Sequence, residues 1–213
     1  MLDAIVDYVP PCPTELPSNR VSWNIDPARA MLLVHDMQQH FLSSYPPESA
    51  ALNTAVDNIV RLRDIAVAHG VPVVYSAQPP AQDAQRRALL TDFWGPGLQT
   101  DDEARLIDSL GSVDEAQIMT KWRYDAFERT DLTDRLQRTG RDQLIVVGVY
   151  AHIGCLATAL SAFMKDIQPF LIGDALADFS AAHHQQALAY AAERCARVVD
   201  ADTAAAELSC GTE

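Results

Sequence analysis

The sequence predicts an α/β fold: a three-layer domain with a six-stranded parallel sheet and helices on both faces. Three observations predict it. Several short segments are apolar throughout rather than alternating, as strands covered on both faces are. They take turns with amphipathic stretches of helical period. No internal repeat or interdomain linker breaks the pattern, so residues 1–213 read as one domain.

The N-terminus, "MLDAIVDYVPPCPTELPSNR", holds four prolines that forbid a long helix, and residues 1–25 read as an irregular strap. It lacks the basic start and apolar core of a signal peptide, which makes a cytoplasmic setting the expectation. The first strand is "AMLLVHD" (30–36), too short for a helix and ending in polar residues. Residues 54–69 set Val56, Ile59, Val60, Leu62, Ile65 and Ala66 on one helical face, and Gly70 closes the helix. "VPVVYSA" (71–77) is the second strand, followed by a polar loop with "QPPAQDAQRR" and "WGPG". Then come "AQIMTK" (116–121) as strand, 131–139 as helix and "QLIVVGVY" (143–150) as strand. A helix from about 155 to 166, the strand "PFLIGDA" (169–175), a helix over 181–195 and the strand "ARVVD" (196–200) complete the set. The tail, 201–213, reads as a weak helix or as disordered.

Composition narrows the partners. A net charge of -13 argues against nucleic acid, whose phosphates need a basic surface. A small anionic substrate needs only a few well-placed cations and stays open. No apolar run approaches the length of a membrane span. The four cysteines (Cys12, Cys155, Cys195, Cys210) are scattered without zinc spacing and read as free thiols.

In parallel sheets ligands bind at the carboxyl ends of strands. That rule marks Asp36, Gln78, Lys121 and Tyr150–Gly154. A half-buried carboxylate at Asp36 suits a general acid or base, since desolvation raises its pKa; the alternative is a turn or cap residue. Lys121 could bind a substrate carboxylate or hold Asp36, or simply be solvated. Trp122 and Tyr124 beside it suit core or pocket wall. "GVYAHIGC" (148–155) reads as strand, sharp turn and helix start, where Cys155 could be a dipole-activated nucleophile or a packed hydrophobe. Gly154 beside it would let a substrate atom approach backbone N–H groups. His183–His184 and the His35/His40 pair invite a metal reading, yet neither has the i, i+4 spacing with an acidic partner. Neither metal nor cofactor is expected.

Taken in order, "LLVHDMQQHF", "LLTDFWGPGL", "TKWRYDAF", "GVYAHIGC" and "DIQPFLIGDALADFS" resemble the isochorismatase family over about residues 20–200. The resemblance implies a Rossmann-like six-stranded sheet. It also implies hydrolysis of the enolpyruvyl vinyl ether of 2-amino-2-deoxyisochorismate or isochorismate, within phenazine or related secondary metabolism. Related cysteine hydrolases carry an elbow like G-V-x-T-D-x-C, and aligning it on residues 148–154 puts the nucleophile position at Gly154. Cys155 falls one residue later, turned by about 100° on a helix. The implied catalytic set is therefore Asp36 as proton donor, Lys121 and Gly154. Gln78, Arg87, Trp94, Tyr150 and Phe41 are the implied substrate-binding residues. A cis peptide at Val149–Tyr150 and a homodimer are further implications. The chain ends without an evident carrier domain, which favours a stand-alone enzyme. Two rivals are an amidohydrolase of the nicotinamidase type using Cys155, and a non-catalytic binding protein that kept the pocket.

Overall fold

Period-two side-chain alternation gives each strand two buried faces, and helices cover both. The computed structural model describes residues 4–210. Its strands are β1 (Ala30–His35), β2 (Val73–Ala77), β3 (Ile118–Thr120), β4 (Gln143–Val149), β5 (Gln168–Ala177) and β6 (Arg197–Val199). They form one six-stranded sheet in the order β3-β2-β1-β4-β5-β6, with every pairing parallel. The order reverses between β1 and β4, which opens a crevice at their carboxyl ends.

The helices are α1 (Gln39–Leu42), α2 (Ala50–Ala68), α3 (Ala84–Arg87), α4 (Leu90–Trp94), α5 (Asp101–Ala104), α6 (Leu132–Arg138), α7 (Leu156–Phe163), α8 (Ala181–Arg194) and α9 (Ala201–Ser209). Leu32 and Val34 of β1 join Ile59 and Leu62 of α2 and Leu208 of α9 in one core. Met31 and Leu33, pointing the other way, join Leu136 of α6, Ala159 of α7 and Leu188 of α8 in the second.

Several boundaries differ from the sequence reading, each for a local reason. α2 starts at Ala50 because the Ser49 hydroxyl accepts from Leu52 N–H, while Asp7 of the strap accepts from Ser49 Oγ and Ala50 N–H. Only Ile59, Leu62 and Ala66 of its expected face are fully buried; Val56, Val60 and Ile65 are half-buried against the same core. β3 is shorter than 116–121 because Asp114 caps a 3₁₀ turn over Glu115–Gln117. The polar loop after β2 contains α3, α4 and α5. The tail expected to be weak forms α9 over Ala201–Ser209, capped by the Asp200 side chain and burying Ala201, Ala204 and Leu208. Residues 211–213 of that expectation, and 1–3 of the strap, lie outside the described residues. The strap is irregular apart from a 3₁₀ turn at Pro13–Glu15. It is tied down by Tyr8, whose hydroxyl accepts from Asp178 N–H and bonds His184 Nδ1.

Candidate active site

The crevice between β1 and β4 is a cavity of about 280 Å³. The eight residues implied as catalytic or substrate-binding all line it: Asp36, Phe41, Gln78, Arg87, Trp94, Lys121, Tyr150 and Gly154.

Asp36 follows β1 directly and sits at φ +50°, an unusual backbone for a residue with a side chain. It is 5% exposed. Lys121 Nζ donates to its Oδ2 at 2.8 Å and Ser76 Oγ to its Oδ1 at 2.6 Å. Burial alone would raise its pKa, as the sequence suggested. The Lys121 ammonium and the hydrogen bonds from Lys121 and Ser76 outweigh burial and hold the carboxyl below its ordinary value. The resting site is thus a carboxylate–ammonium pair, and of the two opposing effects the lysine prevails over burial.

His35, the last residue of β1, is pinned through Nδ1 to the Val149 carbonyl at 2.8 Å. A carbonyl can only accept, so Nδ1 carries the proton. Burial pushes the ring's pKa down to about 4, with Lys121 acting in the same direction against Asp36, so the imidazole is neutral at pH 7.

Arg87 ends α3 and is 4% exposed, with Nε donating to Gly95 O at 2.6 Å and Nη1 left without a partner among the described residues. Its guanidinium lies against Gly97, where a Cβ would be 2.3 Å from Nη1. "WGPG" therefore shapes the seat of this cation. Gln78 is fixed by its backbone, since Gln38 accepts from its N–H at 2.8 Å and donates to its carbonyl at 2.9 Å. Trp94 donates its indole N–H to Tyr124 Oη, joining α4 to the segment after β3. The Tyr150 hydroxyl donates to the Phe41 carbonyl, so this residue presents its ring to the cavity between Phe41 and Phe179.

The elbow resolves the choice between Cys155 and Gly154. The Val149–Tyr150 peptide is cis, and Ala151–Cys155 form a single π-helical turn before α7. At Gly148 the backbone has φ +114°, and a Cβ there would fall 2.2 Å from the His35 carbonyl, so only glycine lets β4 pass β1 this closely. Gly154 faces the cavity, whereas Cys155 is fully buried in the core with Ala151 and Ala159. Burial raises the Cys155 thiol well above its ordinary pKa, the opposite of an activated nucleophile.

Of the histidines noted in the sequence, His35 and His40 line the cavity and His184 is buried behind it. His183 meets His152 and Asp178 in a cluster that the sequence reading missed. Its two imidazoles are stacked at 15°, so their lone pairs lie in separate, near-parallel planes. Asp178 already accepts from His152 N–H, His152 Nδ1 and Phe179 N–H. It holds the start of the elbow turn. Ser76, His35 as a wall, Leu90, Leu98, Ile153 and Phe179 were also missed; Phe179 follows β5, whose end the strand-end rule could have included.

The isochorismatase-domain profile matches residues 30–203. The chain belongs to the isochorismatase family. It is 49% identical over 203 residues to "Isochorismatase" of Bacillus subtilis, covering 95% of this chain but 65% of that protein. It is 48% identical over 202 residues to "Phenazine biosynthesis protein PhzD" of Pseudomonas fluorescens, covering 94% of this chain and 97% of that one. The crystal structure of a cysteine hydrolase from Pseudomonas syringae pv. phaseolicola shares the fold, with a TM-score of 0.79 at 24% identity over 90% of this chain and 97% of that one. The chain is thus an isochorismatase-type hydrolase with glycine at the cavity-facing elbow position. No helix among the described residues is long and apolar enough to cross a membrane.

Proposed function

We propose that the protein hydrolyses the enolpyruvyl vinyl ether of 2-amino-2-deoxyisochorismate or isochorismate, giving pyruvate and a dihydroaromatic alcohol, in phenazine or siderophore biosynthesis. The observation that carries this reading is an acid–lysine pair facing a cavity whose elbow position is glycine. Such a site can move a proton but has no side chain there to form a covalent bond.

Asp36 delivers a proton to the terminal CH2 of the enolpyruvyl group. The resulting oxocarbenium takes up water, and the hemiketal collapses to pyruvate and the ring alcohol. General acid catalysis supplies roughly 100- to 10,000-fold, and positioning must supply much of the rest. Because Asp36 rests ionised, the substrate must help load it. A carboxylate brought beside the Asp36–Lys121 pair disfavours a second negative charge and raises the Asp36 pKa, so the proton enters with the substrate. Arg87 meets a substrate carboxylate with its unpartnered Nη1, and the rings of Phe41, Tyr150, Trp94 and Phe179 wall the carbocycle. We further infer a homodimer working in the cytoplasm, with the whole chain acting as one domain. Light scattering should give twice the 23.3 kDa chain mass.

The two named relatives are 49% and 48% identical to this chain, so the substrate choice is set by assay. Purified protein should release pyruvate from at least one of the two compounds, and the ratio of kcat/KM names the preferred one. Tight binding of both without pyruvate would support the binding-protein rival instead.

A further inference from the structure

The glycine at 154 has no conformational reason to be glycine. It sits within the π-helical turn and its φ is not in the left-handed region, so an L side chain is compatible with the backbone. What forbids one is space. A Cβ at 154 would lie 2.3 Å from His35 Cε1 and 2.9 Å from His35 Nε2, with the Tyr124 carbonyl at 3.2 Å. Both distances to the ring are shorter than carbon contacts tolerate.

The ring has nowhere to retreat. His35 is 1% exposed, and its Nδ1 is tied to the Val149 carbonyl on the strand leading into the same elbow. Its own backbone is pressed against Gly148. Its Nε2 is buried, makes no hydrogen bond among the described residues and lies against the vacant Cβ position of Gly154. The imidazole fills volume.

We infer that His35 and Gly154 form a size-matched pair: the imidazole occupies the space that a side chain at 154 would need, and so excludes a covalent nucleophile from the elbow. Reaction type is then determined by two residues, one on β1 and one after β4. Replacing the glycine by cysteine does not by itself rebuild a nucleophilic site; the histidine must shrink as well. The inference rests on reading 154 as the vacated nucleophile position, but its test does not depend on turnover.

The test is a double-mutant cycle with Gly154→Ala, Gly154→Cys and His35→Val, each alone and combined. In the His35 background, Gly154→Ala should lower Tm by roughly 4–10 °C, the effect of overpacking in a chain of this size. In the His35→Val background the same change should cost about 1 °C or less. Iodoacetamide labelling, followed by peptide fragmentation to tell the introduced thiol from that of Cys155, reads access to the elbow. The introduced thiol should be labelled at least about tenfold faster in the H35V/G154C protein than in G154C. If G154C does not fold, the alanine cycle alone decides. Equal Tm losses in both backgrounds would overturn the pair, as would equal labelling of the introduced thiol with and without His35. Additive losses alongside pyruvate release by the wild type would remove the pair and leave the activity; strong coupling with no pyruvate release by the wild type would do the reverse.

Discussion

Lys121 and Arg87 are both buried cations in one cavity, 1% and 4% exposed, yet they stand in opposite conditions. Lys121 is complete: its ammonium meets Asp36 at 2.8 Å, and the pair is neutral overall. Arg87 is incomplete, held by one carbonyl with Nη1 unsatisfied. Charges are buried unpaired only at a cost, so the difference separates a completed ion pair from a cation with a donor to spare, the one we propose meets a substrate carboxylate.

Substitutions of equal bulk should break that comparison cleanly. Lys121→Met leaves the Asp36 carboxyl buried without its partner and should cost about 3–5 kcal/mol in urea unfolding at pH 7. The loss should grow with pH, as Asp36 is forced to ionise unpaired. A stability equal to the wild type would show that the pair is not formed in the resting protein.

The next effect concerns the neutral wall of the site. Unfolded His35 takes a proton near 6.5 and the folded ring only near 4. Its contribution is therefore fully present above pH 6.5 and lost as the pH falls towards 4, because the unfolded chain binds the proton first. At ~1.4 kcal/mol per pH unit this amounts to roughly 3 kcal/mol. His184, also depressed by burial, adds in the same direction. Unfolding followed from pH 7 to 4 should show the acid loss shrink in His35→Val; an unchanged slope would place the ring's proton elsewhere.

Arg87→Met is the counterpart of the Lys121 change. It should leave Tm unchanged or slightly raised, since it removes an unsatisfied buried charge. KM should rise about 10- to 100-fold, the worth of one charged hydrogen-bonded contact, with a smaller change in kcat. A large Tm loss with normal KM would assign Arg87 to folding. The smallest effect belongs to Cys155: Cys155→Ala should keep kcat within about threefold, with a modest stability loss from the lost sulfur. Loss of turnover there would revive the amidohydrolase reading.

The fold was legible because its strands are buried on both faces, so "MLLV" and "LIVV" announce themselves without alternation. The strand-end rule then marked Asp36, Gln78, Lys121 and the elbow, and the structure brings them into one cavity. What was hidden depends on packing. "TAAAELS" looks marginal as an isolated helix, and becomes α9 only because Leu208 and Ala204 find the core beside α2. The direction of the Asp36 pKa depends on Lys121 lying 2.8 Å away, across 85 residues of sequence. Tyr150 could be marked as a pocket residue, but that the Phe41 carbonyl takes its hydroxyl and leaves the ring to the cavity is a matter of packing. His35 could be noticed as a titratable residue, but its role in shaping space at Gly154 exists only in three dimensions.

Proton donation by Asp36 without a covalent nucleophile is the central step of the proposed reaction. It is tested by pyruvate release from 2-amino-2-deoxyisochorismate and isochorismate, with the wild type, Asp36→Asn and Cys155→Ala assayed side by side. Release is expected from the wild type and Cys155→Ala, with a fall in kcat of roughly 100- to 10,000-fold in Asp36→Asn and substrate still bound. Near wild-type turnover by Asp36→Asn, or silence from Cys155→Ala alone, would contradict it.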